Sequence, residues 1–274
     1  MAGPYQQRGE LLVHQDHLEA LTAAGLDSFD ALMNASGEAV LHKKGLAGWR
    51  QRVVLRVGDR RLYLKRYIKP PWHEQVRLRL RGFGATAEVE WHWLRELPGL
   101  GLPGPQPVAY GCRRRAGLER QSLLLTDAVP GTSLERWVPD QLDGCLADRA
   151  FKTRLAADLA GLVARLHASR LVHRDLYLSH VFIDEDADGP ARLFLIDLQR
   201  VIRPRLRWKR WMIKDLAALD YSTPAAAASS ADRLRFWLRY RGAQRLTPGD
   251  KPIIRAIVRK ARRIARHSAR RSLG

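Results

Sequence analysis

Two acidic residues, Asp175 and Asp197, stand where burial makes a charge costly. Asp175 follows a helix-like segment in the sequence His-Arg-Asp-Leu, and Asp197 ends the apolar run 193–196, which is typical of a buried strand. A carboxylate at such a strand end loses hydration, so it stays ionised where a cation or hydrogen-bond donors replace the water. A metal ion that also binds phosphate would meet this need. The alternative is that Asp175 caps a turn and Asp197 only ends its strand.

The spacing of these residues matches a general arrangement for phosphoryl transfer. In that arrangement a His-Arg-Asp loop positions the attacking hydroxyl, and a downstream Asp holds Mg²⁺ against the phosphates of a nucleotide. The sequence therefore predicts that His173, Arg174 and Asp175 form a catalytic loop and that Asp197 is a metal ligand. Either acid alone favours the structural interpretation, whereas both together with a basic partner favour the catalytic one.

Lys65 is the candidate for that basic partner. Residues 53–67 contain two runs with recurring apolar residues around a Gly-Asp turn, which predicts a two-stranded hairpin. Lys65 shares a strand face with Tyr63 and Tyr67, because side chains alternate along a strand. The phosphoryl-transfer arrangement places a phosphate-binding lysine on such a strand. The alternative is a strand lysine that simply faces water.

Two neighbouring segments supply further candidates. Residues 85–97 predict a helix, and either Glu88 or Glu90 would pair with the strand lysine and orient it; Glu90 is our choice. The alternative is a helix glutamate in water. Gly45 and Gly48 would let the loop before the hairpin approach phosphates, but their spacing falls short of the GxGxxG pattern. We include both glycines among the nucleotide-binding candidates.

A boundary between two lobes is predicted after the strand that ends at Asp127. A Val-Pro-Gly turn follows and leads into a helix. In a two-lobed kinase this point would be the hinge, where backbone groups of residues 126–129 meet the adenine, so Asp127 is a candidate nucleotide-binding residue. The predicted parts are an N-terminal helical extension (1–36), an N-lobe (37–127), a C-lobe (128–250) and a basic amphipathic C-terminal helix (251–274).

The second half contains three more informative segments. Residues 151–169 predict a core helix that leads into the His-Arg-Asp loop. The basic run 203–210 follows Asp197, where an anionic acceptor would bind, although a solvated charge run is the alternative. Asp215 lies near the start of the next predicted helix. It is either a buried carboxylate that braces the catalytic loop or an early-turn acid favoured by the helix dipole.

The end of the chain predicts a basic amphipathic helix. Residues 251–271 contain nine Lys or Arg residues and no acid, and isoleucines recur at helical spacing. Such a helix can lie on an anionic bilayer, where each cation near the surface contributes about 1 kcal/mol. Alternatively, the apolar stripe packs on the body of the protein and the charges face water.

Composition and charge narrow the class of protein. The 274 residues include 48 Lys and Arg against 28 Asp and Glu, a net charge of +20 that favours anionic partners such as phosphate, nucleic acid or acidic lipid. Cys112 and Cys145 form no metal-binding pattern with the histidines, which indicates reduced thiols. A basic linker is expected after Pro70 and Pro71.

Targeting signals are not evident in the sequence. The N-terminal residues lack an apolar core of signal-peptide length, and no apolar run reaches the roughly 18 residues of a membrane span. We therefore expect the protein to stay where it is made or to attach only to a surface.

Four segments together resemble the lipopolysaccharide core kinase family (the Kdo/WaaP family). They are HRDLYLSH (173–180), LIDLQR (195–200), the segment from Arg-Trp to Lys-Asp-Leu-Ala-Ala-Leu (207–219) and YLKRY (63–67). The resemblance covers roughly residues 10–235. It implies an α+β, two-lobed protein-kinase-like fold, with a small antiparallel-sheet N-lobe and a mainly helical C-lobe.

The resemblance also implies an activity and a place in the cell. The activity is ATP-dependent phosphorylation of a sugar hydroxyl, Kdo or heptose, of the lipopolysaccharide inner core, at the cytoplasmic face of the inner membrane. Asp175 would be the catalytic base, Asp197 a metal ligand, and Lys65 the residue on the nucleotide phosphates, with Glu90 as its partner. The acceptor would be an anionic glycolipid or sugar.

The chain departs from the broad protein kinase pattern at three places. His180 stands where protein kinases carry a metal-binding Asn. Because Mg²⁺ prefers oxygen ligands and imidazole suits softer metals, His180 either contacts phosphate, orients Asp175 or favours Mn²⁺. Leu and Gln follow Asp197, so a Phe-based activation switch is not expected. Tyr177 replaces the lysine usual two residues after the catalytic Asp, which argues against a protein substrate.

The resulting hypothesis is a surface-attached kinase that uses ATP and Mg²⁺ to phosphorylate a sugar of lipopolysaccharide or a related glycolipid. Three alternatives are open. A small-molecule or antibiotic phosphotransferase shares the lobes but does not need the basic tail. A nucleic-acid binder would suit the charge of +20, although no nucleic-acid motif is present. A pseudokinase would explain the incomplete glycine pattern.

Overall fold

The chain folds into two compact units, and each is described by itself. The computed structural model describes residues 4–40, 48–185 and 191–272. The first unit comprises Met1–Glu96 with Pro105–Val129, and the second Leu97–Gly104 with Pro130–Gly274. The four-part division expected from the sequence stays a prediction.

The first unit is built on a seven-stranded antiparallel sheet. Its strands are β1 Tyr5–Arg8, β2 Leu11–His14, β3 Ala39–Val40, β4 Arg50–Val57, β5 Arg60–Ile68, β6 Pro107–Arg115 and β7 Leu118–Asp127. Their order across the sheet is β1-β2-β6-β7-β5-β4-β3, and neighbouring strands are antiparallel. The predicted hairpin is confirmed as β4 and β5. Gly58 makes its turn with a φ of +58°, a conformation that glycine adopts without steric cost.

In the described residues of this unit, four helices accompany the sheet. They are α1 Gln15–Ala23, α2 Phe29–Asn34, α3 Trp72–Leu80 and α4 Thr86–Glu96. Residues 72–80 were expected to be part of a basic linker and instead form a helix, because Gln75 and Leu78 fit one buried face. Two helices occur within 1–36 as predicted, but the strands β1 and β2 precede them and extend the sheet.

The second unit is mainly helical. Its helices are α5 Leu134–Asp140, α6 Arg149–Ala168, α7 Trp208–Ser222, α8 Ser230–Arg241 and α9 Asp250–Ser272. A small antiparallel sheet is formed by β8 Thr132–Ser133, β9 Val181–Asp184 and β10 Arg192–Leu195, in the order β10-β9-β8. Short 3-10 helices span Pro98–Leu100, Leu178–His180 and Leu198–Arg200. The predicted α+β class, with an antiparallel sheet followed by a mainly helical part, is confirmed.

Two helices of this unit bear on how the His-Arg-Asp loop (173–175) is held. Helix α6 begins at the N-cap Asp148, whose carboxylate accepts from the N–H of Ala150 at 2.8 Å, and it buries Leu155, Leu162 and Leu166. It therefore fixes the start of the loop that follows it. Helix α9 packs against α7, which carries Asp215.

Among the described residues, no helix combines the length and the apolar character needed to cross a bilayer.

Candidate active site

The carboxylate of Asp175 lies in the loop between α6 and β9 and is flanked by two cations. Its Oδ1 accepts from Arg200 Nη1 at 2.8 Å and lies 3.9 Å from Lys214 Nζ. The Asp175 side chain is 20% exposed, so its carboxylate is accessible from solvent. Burial, as the largest effect, lowers the pKa of Lys214, while the nearby Asp175 opposes that shift. The geometry thus combines an accessible carboxylate with positive charge.

Asp215, in helix α7, braces the backbone of this loop. The Asp215 side chain has no exposed surface, and it accepts from the N–H groups of His173 at 2.6 Å and Arg174 at 2.7 Å. Arg174 has a φ of +70°, an unfavourable conformation for a residue with a side chain. Of the two roles open for Asp215 in the sequence, these contacts favour the bracing one.

His173 is a positioning residue, because its ring is buried and faces the backbone. Its Nε2 lies 3.0 Å from the carbonyl oxygen of Ile196, which can only accept, so Nε2 carries the proton. Within the described part of the chain, Nδ1 has no hydrogen-bond partner. Burial lowers the pKa of His173. The ring is therefore neutral and fixes the residue that precedes Asp197; it was grouped with the catalytic residues only through its motif.

This arrangement predicts a pH-dependent stability. The unfolded chain protonates His173 below its ordinary pKa of 6.5, whereas the folded chain does not until a lower pH. The unfolded state then binds more protons, so stability falls as the pH drops below 6.5, by at most about 1.4 kcal/mol per pH unit. Urea unfolding between pH 7.5 and 5 checks this, with His173→Gln expected to flatten the slope and the exposed His73→Gln as control. An unchanged slope in His173→Gln would contradict it.

Arg174 also contributes through its position in the loop. Its guanidinium carbon lies 5.1 Å from the centre of the Trp211 ring, a cation–π contact. Its carbonyl oxygen accepts from Lys214 Nζ. Arg174 therefore connects the loop to helix α7, and these contacts link Asp175 to the helix that also carries Lys214.

His180 connects the His-Arg-Asp loop to Asp197. Its Nδ1 lies 2.7 Å from the carbonyl oxygen of Asp175 and must therefore donate to it. Its Nε2 faces the carboxylate of Asp197, with 3.7 Å between Nε2 and Oδ2. Asp197 has a φ of +59°, which turns the chain sharply at the end of β10. A hydrogen-bonded imidazole beside a carboxylate is an arrangement common to metal sites.

Lys65 pairs with Glu90 inside the first unit. The Lys65 Nζ donates to both carboxylate oxygens of Glu90 at 2.7 Å. The Glu90 side chain is 2% exposed and that of Lys65 14%, so the pair is shielded from water. Glu88 has another task, because its Oε2 accepts from the N–H of Gly84 at 2.7 Å and caps the start of α4. Strand β5 and helix α4 thus hold one cation in a fixed orientation.

Asp127, another predicted nucleotide-binding residue, has side-chain partners of its own. The Asp127 carboxylate is 3.2 Å from Nε2 of the buried His17 and 3.8 Å from Arg60 Nη1, so its side chain ties strands and helix together. The N–H of Asp127 donates to the carbonyl oxygen of Gln106 at 2.9 Å and is not offered to a base. Gly48 lies in an exposed turn before β4. Gly45 lies outside the described residues.

Two residues beside Asp175 were missed by the sequence reasoning. Arg200 was treated as part of a motif, and Lys214 only as part of a helix start. The one available signal was that each is a cation close to a motif acid, Arg200 three residues after Asp197 and Lys214 directly before Asp215. Nothing in that spacing indicates contact with Asp175.

Comparisons with known proteins identify the family of the chain. Residues 34–240 match the model of the lipopolysaccharide kinase (Kdo/WaaP) family. The lipopolysaccharide core heptose(I) kinase WaaP of Pseudomonas aeruginosa is 29% identical over 79% of this chain and 81% of that protein. The 3-deoxy-D-manno-octulosonic acid kinase of Xanthomonas campestris is 31% identical over 52% of each chain.

A solved structure extends the likeness to the fold. The structure described as "WaaP in complex with acyl carrier protein" superposes with a TM-score of 0.71 and 25% identity, over 94% of this chain and 99% of that one. The predicted protein-kinase-like fold is therefore confirmed, and the named kinases among the relatives show an enzyme of that kind. The chain is a kinase and belongs to the lipopolysaccharide kinase (Kdo/WaaP) family.

Proposed function

We propose that this kinase transfers the γ-phosphoryl group of ATP to a sugar hydroxyl, Kdo or heptose, of the lipopolysaccharide inner core. The observation that carries the proposal is the accessible Asp175 carboxylate between Arg200 and Lys214, in a loop fixed by the buried Asp215. Phosphoryl transfer depends mainly on positioning and on charge stabilisation, and this arrangement supplies both.

Asp175 is the general base in this proposal. Its carboxylate accepts the proton of the attacking sugar hydroxyl as the hydroxyl oxygen bonds to the γ-phosphorus and the bond to the β-phosphate oxygen breaks. Arg200 and Lys214 offset the negative charge that gathers beside it. Arg200 is half-exposed, so its guanidinium also suits a carboxylate or phosphate on the acceptor.

Asp197 and His180 are the residues that would hold a divalent metal ion. Within the described ranges, no three or more His, Cys, Asp or Glu side chains converge. A pair of protein ligands nevertheless fits, since Mg²⁺ at nucleotide sites is held by one or two carboxylates and by the phosphates themselves. The Nδ1 of His180 donates its proton to the Asp175 carbonyl oxygen, so Nε2 is the ring atom that can coordinate a metal ion. An imidazole ligand at this position also suits Mn²⁺. A bound ion would neutralise phosphate charge.

Lys65 is proposed to bind the nucleotide phosphates. In a Lys65→Met variant we expect the affinity for ATP to fall about tenfold or more, because one charge-assisted hydrogen bond contributes about 1.5–3 kcal/mol. Isothermal titration with ATP measures the effect, and Lys69→Met, an exposed lysine on the same segment, is the matched control. If Lys65→Met lowers stability but leaves ATP affinity unchanged, the pair with Glu90 is only structural.

Association with the cytoplasmic face of the inner membrane belongs to the same proposal. A lipopolysaccharide sugar is anchored in a bilayer, and the net charge of +20 favours an anionic surface. Helix α9 presents most of its cations to solvent, while Ile257 and Ala261 are buried where it packs against α7. The helix therefore uses part of its apolar stripe in packing and retains its charges for an anionic surface.

The experiment that tests the proposal uses γ-labelled ATP and a panel of acceptors. The panel contains dephosphorylated core oligosaccharides with Kdo or heptose, an aminoglycoside and a generic protein substrate. We expect label on a core sugar. Label on the aminoglycoside alone would favour the small-molecule phosphotransferase, and tight RNA binding in physiological salt without transfer to any acceptor would favour the nucleic-acid binder.

A further inference from the structure

Helix α3 exposes a continuous apolar face. Trp72 is 73% exposed, Val76 45% and Leu80 84%. Residues four apart lie above one another on a helix, so these three side chains form a single stripe. The opposite side of α3 is buried through Gln75 and Leu78. The exposed stripe is therefore held in place by the fold and is not a frayed segment.

The turn between β6 and β7 lies beside α3 and exposes a further apolar side chain. Leu118, beside the turn, is 42% exposed. Arg79 in α3 donates to the carbonyl oxygen of Gly117, and the side-chain oxygen of Gln75 accepts from the N–H of Glu119 at 2.9 Å. Helix and hairpin thus form one surface, which we call the α3 surface and define as residues 69–81 and 114–120.

The α3 surface is strongly basic around its apolar residues. Its cations are Lys69, Arg77, Arg79, Arg81, Arg114, Arg115 and Arg120. It contains two acids against these seven cations, so its net charge is +5, and Arg114 also lies 3.9 Å from Glu88 in α4. Glu74 pairs with Arg77 at 3.1 Å, and Glu119 is 2% exposed and accepts from Thr86 and Ser122. An apolar stripe rimmed by arginines is complementary to a surface that is apolar below and negatively charged above.

We propose that the α3 surface docks the kinase on an anionic lipid bilayer, with Trp72, Val76, Leu80 and Leu118 in the interface and the surrounding cations on lipid headgroups. Trp favours the membrane interface, and an amphipathic helix with arginines at its rim binds in the plane of the bilayer. The nine-residue helix is ordered by the fold beforehand, so binding need not supply the free energy to form it. The inference rests on the proposed function, because it assigns the surface for that membrane association.

The area of exposed apolar side chain makes this surface a better candidate than α9. Seven large apolar residues are exposed among the described residues, and four of them belong to the α3 surface. In α9, Val258 is 37% exposed. Helix α9 can contribute long-range attraction through its cations, whereas the α3 surface can also insert apolar side chains. Replacing these apolar side chains should therefore weaken binding to the bilayer even though the net charge of the protein is unchanged.

Co-sedimentation with vesicles tests the proposal without ATP. The vesicles are made of phosphatidylcholine with or without phosphatidylglycerol, and the variants are Trp72→Ser/Leu80→Ser in the α3 surface and Leu206→Ser/Leu234→Ser, two exposed leucines of the second unit, as matched control. We expect the wild type and the control to bind the anionic vesicles. The α3 variant should bind them at least about tenfold more weakly. Binding should be much weaker to pure phosphatidylcholine.

Three outcomes would overturn the assignment. The first is an α3 variant that binds as the wild type does. The second is that Arg259→Glu/Arg263→Glu of α9 loses vesicle binding while the α3 variant keeps it. The third is a wild-type dimer in solution that Trp72→Ser/Leu80→Ser dissociates, because the stripe would then be a contact between copies of the chain.

Kinase activity separates this proposal from the proposed function. A delipidated core oligosaccharide needs no membrane, so the α3 variant should phosphorylate it at the wild-type rate. Vesicle binding through α3 without transfer to any core sugar would remove the proposed function and keep the docking surface. Transfer to the delipidated acceptor without vesicle binding would keep the proposed function and remove the docking surface.

Discussion

An Asp175→Asn variant is expected to transfer phosphate about 100- to 10,000-fold more slowly than the wild type, because a positioned general base contributes that much to the rate. The amide keeps the shape of the side chain but cannot take the proton of the attacking hydroxyl. The loop should stay folded, since its backbone is held by Asp215 and not by the Asp175 side chain. Single-turnover transfer from labelled ATP to the best core-sugar acceptor measures the rate.

The control for this variant is an acid of the same unit with no role in the site. Asp158 is exposed on α6, and Asp158→Asn should retain the wild-type rate. Circular dichroism and thermal unfolding confirm that both variants are folded. If Asp175→Asn keeps the wild-type rate, Asp175 is not the base and the assignment of the loop is wrong.

Asp215→Ala is expected to have the largest effect on stability. The substitution leaves the N–H groups of His173 and Arg174 without their acceptor, and each unsatisfied buried group costs about 1–3 kcal/mol. The backbone at Arg174, with its φ of +70°, also loses the contacts that hold it in that conformation. We expect the free energy of unfolding to fall by about 3 kcal/mol or more, and activity to fall with the displaced loop.

Urea unfolding of Asp215→Ala and of a control from the same helix measures this difference. Asp220 pairs with Arg233 and its side chain is 25% exposed, so Asp220→Ala should cost less than about 1 kcal/mol. An Asp215→Asn variant keeps one acceptor oxygen and should fall between the two. Equal losses in Asp215→Ala and Asp220→Ala would contradict the bracing role.

The sequence predicted the fold where local patterns were strong. The hairpin of β4 and β5 and the core helix α6 follow from apolar periodicity and turn residues that lie close together in the chain. Strands β1 and β2 were missed, because each has four residues and they join the rest of the sheet only through the pairing of β2 with β6, about a hundred residues away. Helix α3 was missed because its exposed face is apolar, which reverses the usual amphipathic pattern.

The candidate site was predictable as far as its motifs reach. The pairing of Lys65 with Glu90 is the contact expected from a strand lysine and a following helix, and their shared role at ATP stays a prediction. The approach of Lys214 to Asp175 depends on how α7 packs against the loop, and that of Arg200 depends on the short 3-10 helix after Asp197. Spacing in the sequence records neither contact. His173 and Arg174 were grouped with the catalytic residues because a motif does not separate side-chain chemistry from backbone support.

The most direct test of the central claim is label transfer from γ-labelled ATP to dephosphorylated lipopolysaccharide core oligosaccharide, with the wild type beside Asp175→Asn and Asp197→Asn. We predict that the wild type labels a Kdo or heptose residue of the acceptor and that both variants lose this transfer. Transfer that survives both substitutions, or label on no core sugar from a folded wild type that binds ATP, would contradict the account.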